Sequence, residues 1–345
     1  MNQSEYPHRA DSVGEPASIT VQEGGAVGVA TASTQPAPSS PVRPQSNAPR
    51  ERTDAATPGS IQPAGGPTQR GHTRRQNLAG IADALSDRDW AILRSVEAHR
   101  FLTTAQITRL HFADHAEASG PALTRRVLGR LRGRRLLTTL ERRIGGVRAG
   151  SSGLVFCVDV VGDRLLRRDT NRPSRRRFSE PSTSFLRHTL TVAETHVSLV
   201  EADRAAKCQL VRCDIEPASW RTHVGVGGAQ LVLKPDLYVE TAVNADSPFV
   251  NSWFLEVDLG TEHLPTLMRK CHDYDAYYRS GTEQTEAGTF PLVVWIMSAR
   301  DPAVAARRRH RLREAIEAGG RLDASLFRVV APDEVLALVQ NGGEQ

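Results

Sequence analysis

Residues 254–262 read Phe-Leu-Glu-Val-Asp-Leu-Gly-Thr-Glu. The apolar run that enters this stretch reads as a buried strand over 252–259. Alternate residues of a strand share a face, so Glu256 and Asp258 point the same way. A second strand-like run, 230–240, carries Lys234-Pro235-Asp236-Leu237. Asp236 on this neighbour can join the other two acids. Three carboxylates at strand ends make a hard oxygen site suited to Mg²⁺ or Mn²⁺. Such an ion polarises a phosphodiester and activates water.

The surrounding pattern is α/β. A helix is expected over about 184–206, with Leu186, Leu190, Ala193 and Val197 on one face. Strands follow at 209–215, 230–240 and 252–259, then a helix at about 262–279. A strand at 292–297, a helix at about 303–318, a strand at 326–330 and a short helix complete the chain. The core order is α-β-β-β-α-β, which calls for a mixed sheet covered by helices. This order, with Pro-Asp followed by Glu-x-Asp, resembles the restriction-endonuclease-like PD-(D/E)XK nuclease fold. The resemblance implies that Asp236 and Glu256 bind metal and that Glu194 is the assisting acid of the first helix. It also implies a lysine after the Glu. Asp258 stands there instead, and Lys270 on the next helix is the candidate for a migrated catalytic lysine. Lys270 could equally pair with Glu262 or Asp273. Without the usual lysine, a non-catalytic relative is favoured over an active metal-dependent endonuclease or nickase.

Upstream, three helices are expected. Ser86 before Asp87-Arg88-Asp89 reads as an N-cap with acidic first-turn residues, and Thr103-Thr104 as another. Ser119-Gly120-Pro121 opens a third helix, with Pro tolerated in the first turn. Strands at 136–140 and 153–158 follow, joined by the Gly/Arg-rich stretch 142–150. Three helices, strand, basic loop and strand is the order of a winged helix-turn-helix. On a helical wheel, Leu123, Val127, Leu128 and Leu131 share one arc, and Arg125, Arg126, Arg130 and Arg132 fill the opposite side. Arginines so placed can neutralise phosphates and pair with guanine edges in a major groove. Arg142, Arg143 and Arg148 would extend this contact from the wing.

Charge supports two jobs. The 345 residues carry 44 Lys+Arg and 39 Asp+Glu, a formal charge of +5. Residues 86–178 hold 20 basic and nine acidic residues, whereas 179–345 hold 17 and 23. The middle is therefore basic and the C-terminal part acidic. Residues 1–76 are rich in Pro, Ser, Gly and Ala, and read as a disordered tail. Residues 169–183 read as a linker, which leaves a DNA-binding domain at 77–168 and the nuclease-like domain at 184–345. No apolar run reaches the ~20 residues of a membrane span. The N-terminus lacks a signal-peptide core. The four cysteines have no zinc spacing, so a cytoplasmic protein with reduced thiols is expected.

His188 is a capping or interface residue. Tyr274, Tyr277 and Tyr278 pack in a core with their polar tips satisfied, rather than forming a relaxase-type nucleophile. The Gly225–Gly228 stretch is a loop between strands. Arg307–Arg313 (RRRHRLR) is a solvated helix face.

A broader resemblance then appears. Residues of about 85–320 resemble the replication-relaxation family of actinobacterial plasmid and mobile-element proteins. FLEVDLGTE followed by RKCHDYDAYYRSG (269–281) is the most specific part, with LTRRVLGRLRGRRLL, FLRHTLTVAETHVSL and LKPDLYVE supporting it. The resemblance implies a role in plasmid replication and relaxation. Expected partners are double-stranded DNA, a relaxase or replication protein, and a second copy of the chain as a homodimer. The rival expectation is a winged-helix transcriptional or copy-number regulator whose acidic domain serves only dimerisation or partner binding.

Overall fold

The computed structural model describes residues 78–115, 119–140, 153–170, 180–318 and 320–344. The expected tail at 1–76, most of the expected linker, and Arg142, Arg143 and Arg148 lie outside the described residues.

The first half opens with α1 (Leu78–Asp83) and α2 (Asp87–His99). A two-residue strand β1 (Leu102–Thr103), then α3 (Thr104–His111) and α4 (Gly120–Gly133) follow. Strands β2 (Leu137–Thr139) and β3 (Val155–Val158) precede α5 (Val160–Thr170). Capping boxes start two of the helices. Ser86 and Asp89 cap α2 reciprocally, and Thr103 and Gln106 do the same for α3. In the small sheet β3 lies between β1 and β2, antiparallel to both. Ile92, Leu93, Val96, Ile107, Leu128, Leu131 and Phe156 form the core beneath it.

Helix α5 is an addition to the expected order, and Asp159, the one residue between β3 and α5, starts it: its Oδ1 accepts from the Val160 amide at 2.6 Å and its carbonyl from the Asp163 amide at 2.9 Å. It buries Val161, Leu165 and Leu166 against that same core. Gly162 permits the approach: a Cβ there would lie 2.2 Å from the Leu136 carbonyl oxygen.

The second half begins with α6 (Thr183–Arg204), whose N-cap Ser182 accepts from the Phe185 amide. Strand β4 (Gln209–Ile215), the hairpin β5 (Arg221–Val224) and β6 (Gln230–Leu233), β7 (Leu237–Ala242) and β8 (Asn251–Asp258) follow. Then come α7 (Leu264–Ser280), α8 (Thr282–Ala287), β9 (Leu292–Met297), α9 (Pro302–Ala318), β10 (Phe327–Val330) and α10 (Val335–Gln340). The single strand expected over 230–240 is two. Pro235 has no amide proton for a ladder, so the chain leaves the β5–β6 hairpin at Lys234-Pro235-Asp236 and joins the main sheet at Leu237.

The main sheet runs β10-β9-β8-β7-β4. Strand β7 is antiparallel to both its neighbours, β4 and β8, and β8, β9 and β10 are parallel. Its two faces have separate cores. Leu237, Val239, Trp253, Leu255, Val294 and Ile296 pack toward α6 and α10. Tyr238, Phe254, Val293 and Trp295 pack toward α7 and α9.

Helix α6 serves both halves. Ala193 and Val197 complete the first core, while Val192, Leu199 and Ala202 pack on the main sheet. Near its start, Leu186 and Leu190 meet Phe101, Val155 and Cys157. A helix of 22 residues, about 33 Å long, thus carries the N-terminal module and the sheet on different faces.

Candidate functional site

Strand alternation puts Glu256 and Asp258 on the same face as Phe254, toward α7 and α9. Both acids are buried, at 3% exposure each. Glu256 Oε1 accepts from the Tyr274 hydroxyl at 2.7 Å, and Oε2 lies 3.3 Å from the Lys270 ammonium. Lys270 also reaches Glu262 Oε1 at 3.1 Å. Asp258 Oδ2 accepts from Arg308 Nη2 at 2.7 Å, and the same nitrogen donates to the Glu262 carbonyl at 2.6 Å.

Asp236 sits at the break before β7. Its Oδ2 accepts from the Val257 amide at 2.8 Å, which ties it to β8 beside Glu256. Its Oδ1 lies 3.1 Å from His188 Nε2 on α6. Burial raises the Asp236 carboxyl above its ordinary range. Burial, followed by the neighbouring Asp236 charge, does the same to Glu256. Two acids in one desolvated site resist being charged together. Burial alone would lower the Lys270 ammonium, but Glu256 and Glu262 override it and hold the group above its ordinary value. Burial and the Lys270 charge keep His188 below its usual value.

Asp236, Glu256 and Lys270 are therefore brought together. Asp258 is on the same face but is held by Arg308. Glu194 is not brought to the group: its carboxylate pairs with Arg109 and accepts from Gln106 Nε2 at 3.1 Å, both on α3. Arg109 also grips Glu201 through Nε and Nη2, at 2.7 and 2.6 Å. Glu194 is thus a strut between α3 and α6. The α6 side chain that does meet Asp236 is His188, six residues earlier.

The residues do not fit a divalent ion in this arrangement. Both oxygens of Glu256 and both oxygens of Asp236 have partners, and Arg308 occupies Asp258. Among the described residues, no three of His, Cys, Asp and Glu converge as a ligand set. Lys270 and Arg308 supply the positive charge that a cation would bring to these acids.

Several residues here carry no sequence signal beyond their type. Arg308 is one of five arginines between 307 and 313. That segment is only partly a solvated face. Arg308 faces the acids, Arg309 donates to the Met297 carbonyl at 3.1 Å, and Arg313 donates to the Val329 carbonyl. The geometry puts Tyr274 and Tyr277 at 1% exposure each, with hydroxyls donating to Glu256 and Glu283. They are core residues with satisfied tips.

On α4 the inner face buries Thr124, Leu128 and Leu131, and half-buries Leu123 and Val127. Arg125, Arg126 and Arg132 are exposed on the other side. Arg130 is engaged within the fold. Its Nη2 lies 2.6 Å from Asp89 Oδ1, and the Asp89 side chain is fully buried in the α2 capping box. The outward basic face is thus narrower than the wheel suggests.

The fold and site define a class: a basic helical module joined through a shared helix to a mixed α/β sheet that holds a buried acid pair. The chain belongs to the replication-relaxation family, whose sequence model matches residues 93–293. The match runs from within α2 through α4 and the acids to the start of β9. No curated protein and no solved structure matches the chain. No helix among the described residues is long and apolar enough to cross a membrane.

Proposed function

We propose that this protein binds duplex DNA in plasmid or mobile-element replication and relaxation, through a winged helix-turn-helix at residues 77–168. In this reading residues 184–345 form a PD-(D/E)XK-like module that does not cleave. The observation that carries the proposal is the cross-section of α4. Exposed Arg125, Arg126 and Arg132 stand over a buried face of Thr124, Leu128 and Leu131. A helix of this kind enters a major groove, with guanidiniums reaching phosphates and base edges. The placement of β3 between β1 and β2, with α2, α3 and α4 ahead of the β2–β3 pair, supports the winged assignment. Arg142, Arg143 and Arg148 would follow the backbone from the wing.

The non-cleaving assignment rests on Lys270 and Arg308, which neutralise the acids where Mg²⁺ or Mn²⁺ would be needed. A relaxase or replication protein would then supply the strand chemistry, in the cytoplasm where plasmid DNA resides. Two experiments test the proposal. In duplex titrations, Arg125→Ala with Arg126→Ala should weaken binding and flatten the salt dependence, by about 0.9 in log–log slope per lost phosphate contact. Unchanged affinity would remove the α4 assignment. Supercoiled plasmid incubated with the protein and Mn²⁺ should remain supercoiled. Relaxation that Glu256→Ala abolishes would show instead that the module cuts.

A further inference from the structure

The fold uses only part of the arginine run on α9. Residues 300–313 hold six arginines and one acid, within a C-terminal part that is acidic overall. Arg308, Arg309 and Arg313 donate to Asp258 and to the Met297 and Val329 carbonyls. Arg311 is exposed, and its guanidinium has no partner among the described residues. It forms one wall of a cavity of about 160 Å³ between the first turn of α7 and the middle of α9. His263, Leu264, Leu267 and Arg308 form the rest of the lining.

This lining selects an anion. Its polar side chains are two guanidiniums and an imidazole, and no carboxylate is among them. The acids closest in the chain are committed elsewhere: Asp258 Oδ2 accepts from Arg308, and Glu262 Oε1 meets Lys270. Arg308 uses Nη2 alone for Asp258 and for the Glu262 carbonyl, which leaves Nη1 for a further acceptor. His263 is the exposed N-cap residue of α7, and its side chain makes no cap bond. The positive end of a 17-residue helix therefore adds to the field of the arginines. Leu264 and Leu267 keep water from one side, which strengthens any charge-assisted bond formed there. The size is also defined. A water takes about 30 Å³ of liquid, so about 160 Å³ holds a group of about five heavy atoms. A phosphate is such a group. It offers at least three acceptor oxygens to these donors, whereas a carboxylate offers two.

We infer that the cavity between α7 and α9 binds a phosphate group, with Arg311 and Arg308 as its principal donors and His263 as a third. The phosphate comes from a nucleic-acid backbone or is free in solution, and the chemistry of capture is the same for both. Helices α7 and α9 cover the sheet face opposite the one that α6 covers. The site is therefore separate from α4 and stands whether or not α4 reads DNA.

The test is isothermal titration calorimetry of the full chain with inorganic phosphate, with acetate as a carboxylate control, and with a short duplex. The wild type should bind phosphate saturably and acetate about tenfold more weakly. Arg311→Ala should weaken phosphate by about tenfold or more, as expected for the loss of a charge-assisted contact, and should melt like wild type because the side chain has no partner in the fold. Arg311→Lys keeps the charge but not the planar fork and should fall between the two. Arg321→Ala removes the same charge from an exposed position beyond the end of α9 and should match wild type. No saturable phosphate binding by the wild type, acetate bound as tightly as phosphate, or equal phosphate affinities of wild type and folded Arg311→Ala would each overturn the assignment. So would an equal loss in Arg321→Ala, which would reduce the effect to long-range charge. The duplex arm separates the sources. A parallel loss of duplex affinity in Arg311→Ala assigns the cavity to a backbone phosphate, and unchanged duplex affinity beside weakened phosphate binding assigns it to free phosphate.

Discussion

Arg130 separates a fold role from a DNA role on a helix where both would look alike in sequence. Its guanidinium is 2.6 Å from Asp89 Oδ1, and Asp89 is fully buried. Asp89 Oδ2 also accepts from the Ser86 amide at 3.0 Å, so Arg130→Ala would leave the carboxylate with part of its hydrogen bonding. Removing one partner of a buried polar group costs about 1–3 kcal/mol. The 42% exposure of the Arg130 side chain lets water replace some of the loss, which favours the lower half of that range. For a unit of this size the melting temperature should fall by roughly 2–6 °C. Arg126→Ala, on the exposed face, should change stability by less than about 0.5 kcal/mol. Urea midpoints of both variants, and of Arg130→Ala combined with Asp89→Asn, give the comparison. The double variant should recover part of the loss, because the unpaired charge is gone. If Arg130→Ala melts like wild type while losing duplex affinity as Arg126→Ala does, the Asp89 pairing is not what holds Arg130.

Four further outcomes rest on the same geometry. Arg308→Ala would strand Asp258, which is 2% exposed at its side chain, and should cost about 3–5 kcal/mol, while the exposed neighbour Arg307→Ala should be near neutral in the same denaturation series. Gly162→Ala would drive a Cβ to within 2.2 Å of a carbonyl oxygen and should lose about 1–3 kcal/mol, read by thermal melting. Burial lowers His99 to about 3, and His111 and His196 to about 4, so the folded state resists their protonation. Their contribution to stability is complete above about pH 6.5 and is lost as pH falls from there toward 4. Asp236 and Glu256, raised in the fold, act with the opposite sign: they hold protons that the unfolded chain releases, so stability falls as pH rises past the ordinary carboxylate range. Glu256→Gln should therefore gain stability relative to wild type between about pH 5 and 7, and a constant difference across that range would contradict the shared burial of the acids.

Local rules accounted for much of this architecture. Ser86 with Asp89 and Thr103 with Gln106 mark two helix starts, because caps act over three residues of chain. The alternation in Phe254–Asp258 placed both acids on one face, because a strand repeats every two residues. Lys270 was legible as a partner of Glu262 or Asp273, and it contacts Glu262 together with Glu256. Other features depend on contacts that no local pattern encodes. Glu194 and His188 lie on the same helix at ordinary spacing, and only the seating of α6 between two cores turns one toward Arg109 and the other toward Asp236. Likewise Arg130 and Arg126 are equivalent on a wheel, until the buried Asp89 of α2 lies beside one of them. Periodicity assigns residues to faces, but a face acquires its chemistry from whichever element packs against it, and that choice is made by long-range burial.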